Sequence, residues 1–207
     1  MTEGPLIAVL DYGIGNLRSA EKGLARAGAD ARLTSDRTVV ERAAGVVLPG
    51  VGAFGRCMAA LRESGLEPVA RAAVESGRPF LGICIGMQML FDHSEENPDT
   101  PGLGVVPGAI RLLPEGVKRP QIQWNVLDVV RPSPLLEGLE HKSWVYFVHS
   151  YAPVPDDPDV VIATCEYGGT VVAAVEAGNV FATQFHPEKS GAAGLRLLSN
   201  FVDLVRG

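Results

Sequence analysis

The first half of the chain alternates short apolar runs with amphipathic stretches. Leu6-Ile7-Ala8-Val9-Leu10 is apolar throughout and stops at Asp11, as expected of a strand buried on both faces. From Leu17 the apolar positions Leu17, Ala20, Leu24 and Ala27 recur on one helical face, with Asn16 placed to cap the helix and Gly28 near its end. A second strand is predicted over 31–34 and a third at Gly45-Val46-Val47-Leu48, closed by a glycine-rich loop over 49–55. Helical patterns then run to about Ser76, before another buried run at Pro79-Phe80-Leu81-Gly82-Ile83. This order predicts an α/β, three-layer architecture with a mostly parallel central sheet covered by helices on both faces.

The second half changes character. Runs at 124–130, 143–148, 160–165, 170–176 and 179–184 read as strands separated by Pro, Gly and Asp turns, with antiparallel edge strands among them. A last amphipathic helix carries Leu195, Leu198, Phe201 and Val205 on one face. With no repeat, low-complexity segment or linker, residues 1–207 read as a single domain.

Composition narrows the function classes. A hydrophobic content of 46% and a charged content of 20% suit a large core. The net charge is −6 and no basic run is long enough to track a phosphate backbone, so nucleic acid is not expected as a partner. No apolar stretch approaches the ~20 residues of a membrane span, and no signal-peptide pattern opens the chain, so a cytoplasmic location is expected. The three cysteines, Cys57, Cys84 and Cys165, are an odd number without metal-ligand spacing. Neither a disulfide framework nor a metal site is therefore expected, and Cys57 and Cys165 read as small core hydrophobes.

Cys84 is different because of its neighbours. Gly82-Ile83-Cys84-Ile85-Gly86 falls where a buried strand should pass directly into a helix, the shape of a nucleophile elbow with cysteine in place of serine. The helix N-terminus favours a thiolate there, and the Ile85 N–H is placed to meet an oxyanion. A thiolate nucleophile needs a base, and the base an orienting acceptor. Among the four histidines, His186 follows a predicted strand and precedes Pro187-Glu188. On an extended segment residues two apart project to one side, so Glu188 can orient the imidazole. His93 is expected near the C-terminus of the helix after Cys84, and His141 in a surface turn. His149 is the rival base, without a carboxylate close in sequence.

The motifs Gly82-Ile83-Cys84-Ile85-Gly86-Met87-Gln88, Pro49-Gly50-Val51-Gly52 and His186-Pro187-Glu188 resemble the three signatures of class I glutamine amidotransferases, whose flavodoxin-like fold the resemblance implies. Segments 11–17, 123–125, 146–151 and 184–190 look most like the glutaminase subunits of imidazole glycerol phosphate synthases. The resemblance implies that Cys84 attacks the side-chain amide of glutamine while His186, held by Glu188, moves the proton. Backbone N–H groups from Val51, Gly52 and Ile85 would serve the oxyanion. Gln88, Glu96, Ser150 and Tyr151 match substrate-binding positions, and no metal or organic cofactor is implied. The implied partner is a (β/α)₈ cyclase forming a heterodimer, which uses the ammonia to make imidazole glycerol phosphate and an aminoimidazole ribotide. Asn16, Trp124, Tyr146 and Lys189 match positions at or near that interface. Gln123 departs from the glycine that many members carry before Trp-Asn. Three other readings remain: a glutaminase for another synthase such as that of pyridoxal phosphate, a stand-alone cysteine hydrolase, and a non-enzymatic binding subunit.

Overall fold

In the computed structural model, residues 4–139 and 142–207 are described; His141 lies outside them. Five strands, β1 (Leu6–Leu10), β2 (Asp30–Thr34), β3 (Gly45–Gly50), β4 (Phe80–Cys84) and β12 (Val180–Thr183), run parallel in the order β2-β1-β3-β4-β12. Four more, β11 (Thr170–Ala177), β10 (Val161–Glu166), β7 (Gln121–Val129) and β8 (Ser143–His149), extend the same sheet antiparallel from β12. The mixed sheet anticipated from the sequence is thus present, with the parallel strands at one end.

Helices cover both faces for a topological reason. The helix α1 (Leu17–Arg26) carries the chain from β1 one way along the sheet. The helices α2 (Arg37–Arg42), α3 (Phe54–Glu63) and α4 (Glu67–Glu75) accompany the steps the other way. Right-handed crossovers therefore put α1 on one face and the others on the opposite face. Accordingly α1 contacts the C-terminal helix α6 (Gly191–Arg206), and α2 contacts α4. The strand order reverses beside β1, and ligand crevices of open α/β sheets form beyond the carboxyl ends of the strands at such a point. Central strands read as continuous apolar runs because both faces are covered: Ile7 to Leu10 and Val46 to Leu48 are fully buried.

Three features depart from expectation. The helix α2 was not predicted; it is only six residues long and is started by Asp36, whose carboxylate accepts from Thr38 N–H at 2.8 Å. A small second sheet joins β5 (His93–Ser94), β6 (Gly108–Leu112) and β9 (Tyr151–Pro155). Pro153 and Pro155 mask β9 in the sequence, but as an edge strand it tolerates them. The helix after Cys84, α5 (Ile85–Gln88), is a single turn, so exposed His93 sits on β5 and not at a helix end.

Candidate active site

The elbow is built by backbone strain and missing side chains. Cys84 ends β4 with φ 56° and ψ −112°, a left-handed conformation that costs a non-glycine residue about 1–3 kcal/mol. The turn closes only because its flanks are glycines. A Cβ on Gly86 would overlap the Leu48 carbonyl at the end of β3. One on Gly82 would lie 2.9 Å from Leu90 Cδ1 and 3.0 Å from the Gly86 carbonyl.

His186 reaches Cys84 from the neighbouring strand. In the parallel register Thr183 lies beside Ile83, and three residues on the His186 N–H bonds to the Tyr146 carbonyl of β8 at 3.0 Å. Pro187–Lys189 form a 3-10 turn rather than the extended segment expected. Proline keeps His186 extended and then starts the turn, which swings Glu188 back under the ring. His186 Nδ1 and Glu188 Oε1 are 2.8 Å apart, both side chains buried. Burial disfavours a charged His186, yet hydrogen bonds to Cys84 and Glu188 and their negative charge outweigh it and lift its pKa to about 9. Burial likewise raises Glu188, but its bond to His186 and the imidazolium charge outweigh that and hold it below the ordinary range.

Asn16 stands at the N-terminus of α1 without capping it. Its Nδ2 instead donates to Glu188 Oε1 at 3.0 Å, so one carboxylate oxygen serves both Asn16 and His186. His149, the rival base, is committed elsewhere. Its Nδ1 lies 2.9 Å from the Tyr151 carbonyl and its Nε2 2.8 Å from the Gln121 side chain. Burial pushes it down to about 4, so it is neutral at neutral pH.

The glycine loop is held at two carbonyls on either side of Gly50. Tyr12 Oη donates to the Pro49 carbonyl at 2.6 Å, and Cys57 Sγ donates to the Val51 carbonyl at 3.3 Å. Burial pushes Cys57 up to about 11, which keeps the thiol protonated as a donor. Between these anchors, the register pairing Gly50 with Cys84, in phase with Val46 N–H on the Pro79 carbonyl, directs the Gly50 carbonyl at Ile85 N–H. The Ile85 donor therefore faces a protein carbonyl in this conformation. Among the described residues no acceptor is found for the Val51 or Gly52 N–H groups, and Gly52 has φ +103°, which favours glycine. Neither anchoring residue was picked out from the sequence, where Cys57 reads as core packing.

A cavity of about 520 Å³ opens over Cys84 and His186. Gln88, Glu96, Ser150 and Tyr151 all line it, as do Val51, Gly52 and Ile85. Glu96 Oε2 also accepts the Phe54 N–H at 2.7 Å and so stands in for the missing cap of α3. Gln88 is buried, its Nε2 3.0 Å from both the Tyr151 carbonyl and Gln184 Oε1. Of the predicted interface residues, Asn16 and Lys189 line the cavity. Trp124 is half-exposed and stands opposite Tyr146 across β7–β8, ring centroids 5.8 Å apart. Exposed Ile122 and Trp144 share that face by the period of two, and Val148, opposite Ile122, lines the cavity. Gln123 is exposed, opposite Phe147. Among the described residues no His, Cys, Asp and Glu group is arranged to hold a metal, and no helix is long and apolar enough to cross a membrane.

An elbow cysteine, a buried imidazole and carboxylate pair and a pocket over them suit acyl transfer through a thiol. The sequence model of the class I glutamine amidotransferases matches residues 8–204, and the chain belongs to that family. Within it the chain is similar to HisH subunits of imidazole glycerol phosphate synthase. The HisH subunit of Syntrophotalea carbinolica is 51% identical over 207 residues, covering 96% of this chain and 100% of its own. That of Aquifex aeolicus is 50% identical, covering 93% of this chain and 94% of its own. Among solved structures, a glutamine amidotransferase superposes with a TM-score of 0.73 at 26% identity, covering 97% and 99% of the two chains. PurLQS from Thermotoga maritima gives 0.78 at 23% identity over 97% and 98%, a likeness of fold alone.

Proposed function

We propose that this chain, acting as one amidotransferase domain over residues 1–207, hydrolyses glutamine to glutamate and ammonia and delivers the ammonia to a (β/α)₈ cyclase. The observation that carries the reading is that Cys84 and His186 line one cavity of about 520 Å³, with the buried Glu188 carboxylate bonded to that imidazole at 2.8 Å. Cys84 attacks the carboxamide carbon while His186 passes a proton to the departing ammonia, and Glu188 with Asn16 holds the imidazole. Water then cleaves the glutamyl thioester. Gln88, Glu96, Ser150 and Tyr151 hold the substrate, Glu96 with its charge suited to an α-ammonium group.

The Gly50 carbonyl facing Ile85 N–H supports a low intrinsic rate, because that donor is not free for an oxyanion. Rotating the Gly50–Val51 peptide would free Ile85 N–H and turn Val51 N–H inward, with Gly50 and Gly52 lowering the cost. The exposed aromatic face of β7–β8 suits the cyclase, since β8 carries the carbonyl that holds the His186 backbone. The similarity to HisH subunits favours imidazole glycerol phosphate synthesis over pyridoxal phosphate synthesis, in the cytoplasm, with a phosphoribulosyl formimino ribotide as the cyclase's substrate. Treatment with an electrophilic glutamine analogue in the presence of cyclase tests the chemistry. An adduct is expected on Cys84, which lines the cavity, and not on Cys57 or Cys165, which do not. Absence of a Cys84 adduct contradicts it.

A further inference from the structure

We infer that Gln184 is a further catalytic residue, whose side-chain amide donates a hydrogen bond to the Cys84 sulfur and stabilises it as thiolate. The inference rests on the glutaminase reading and deepens it. Gln184 Nε2 lies 3.8 Å from Cys84 Sγ, within reach of a long N–H···S bond. The sheet itself creates this proximity. Thr183 is in register with Ile83 on the parallel neighbour, so the next residue on each strand, Gln184 and Cys84, leave the sheet side by side. The Gln184 backbone is pinned as well, its N–H bonded to the Ala173 carbonyl at 2.8 Å, and its side chain is fully buried.

The direction of the bond follows from an atom that cannot change role. Gln88 Nε2 lies 3.0 Å from the backbone carbonyl of Tyr151, which only accepts, so the amide of Gln88 must present its NH₂ there. The same nitrogen is 3.0 Å from the side-chain oxygen of Gln184. Gln184 therefore offers its oxygen to Gln88, and its own NH₂ is left facing sulfur. Turning that amide over would set two NH₂ groups against each other and a carbonyl against a thiolate. Gln88 thus has two roles: it lines the cavity and it fixes the amide beyond. Gln184 is not part of the cavity wall, so it touches the nucleophile without touching glutamine.

The donor matters at two moments. In attack on the amide, the donor lies against the sulfur as it acts as nucleophile. During deacylation the oxygen of water bonds to the acyl carbon and its proton passes to His186. The C–S bond breaks with both electrons returning to sulfur, and the free acid leaves as glutamate after losing its proton to solvent. The Gln184 N–H meets that returning charge.

Two substitutions separate this role from packing. Gln184→Glu keeps an oxygen for Gln88 but removes the donor to sulfur, whereas Gln184→Met removes both. In each, the pH midpoint for alkylation of Cys84 by iodoacetamide, read on the Cys84 peptide by mass, should rise by about one unit or more. For Gln184→Glu assayed with cyclase, kcat should fall by about tenfold, the same loss expressed as a rate, while KM for glutamine stays near that of the parent. In the unaltered chain, the side-chain amide proton of Gln184, labelled with ¹⁵N, should shift as Cys84 ionises. Midpoints unmoved in folded variants, or an amide proton that ignores the titration, overturn the proposal. Neither readout needs turnover. A chain that fails to hydrolyse glutamine overturns the glutaminase reading, whereas an active chain with unmoved midpoints overturns only the role of Gln184.

Discussion

Glu188→Gln tests how the triad divides its labour. The carboxylate is buried, and its Oε1 accepts from His186 Nδ1 at 2.8 Å and from Asn16 Nδ2 at 3.0 Å. An amide of the same shape keeps an oxygen for those bonds but loses the charge. A hydrogen bond to a charged group contributes about 1.5–3 kcal/mol and a neutral one about 0.5–1.5, so the imidazolium loses ~1–2 kcal/mol. That converts to roughly 5- to 30-fold in kcat/KM wherever imidazolium is present in the rate-limiting transition state. The new NH₂ takes the place of Oε2, which is buried without a hydrogen-bond partner among the described residues. An unsatisfied buried donor there costs a further ~1–3 kcal/mol of stability. The pH dependence moves too. Glu188 helps hold His186 near pKa 9, so its neutralisation should shift the alkaline fall in activity to lower pH. Initial rates of glutamate release with cyclase, over a neutral-to-alkaline series, measure rate and limb together. An unchanged kcat/KM with an unmoved alkaline limb would refute the assigned role of the carboxylate.

Other outcomes follow from the same geometry. His149 is neutral when folded and its pKa is lowered from 6.5 to about 4, so between those values the unfolded chain binds a proton that the folded chain does not. Stability should fall by ~3 kcal/mol as pH drops through that window and be insensitive to His149 above it; His149→Gln should flatten the slope in urea titrations. Removing a loop anchor by Tyr12→Phe or Cys57→Ala frees the Pro49 or Val51 carbonyl. Either should raise turnover without cyclase by about 2- to 10-fold, the worth of one neutral hydrogen bond, and a fall would contradict the closed-donor reading.

The sequence showed most where one residue type is sterically compelled. Gly82 and Gly86 could be read as flanks of a nucleophile because no side chain fits between Leu48 and the elbow. The buried strands were legible because two covered faces demand unbroken apolar runs. What escaped depends on contacts distant in sequence. Asn16 looked like a helix cap, yet its side chain finds Glu188, 172 positions away. Gln184 sat in a recognised segment without a role, since only the register of β12 on β4 puts its amide beside Cys84. The Glu188 contact was anticipated from an extended segment but is made by a proline-started turn. Ile122 and Trp144 became visible as a surface only once the pairing of β7 with β8 set them on the face of Trp124.

The central claim is that Cys84 of this chain frees ammonia from glutamine for a cyclase. Glutamate release should be measured with the chain alone, with a (β/α)₈ cyclase, and with cyclase and its ribotide ligand, beside a Cys84→Ala control in each. Low turnover alone, a large rise with cyclase and ligand together, and none in the control is the predicted pattern. A Cys84→Ala chain that retains full activity would contradict the account.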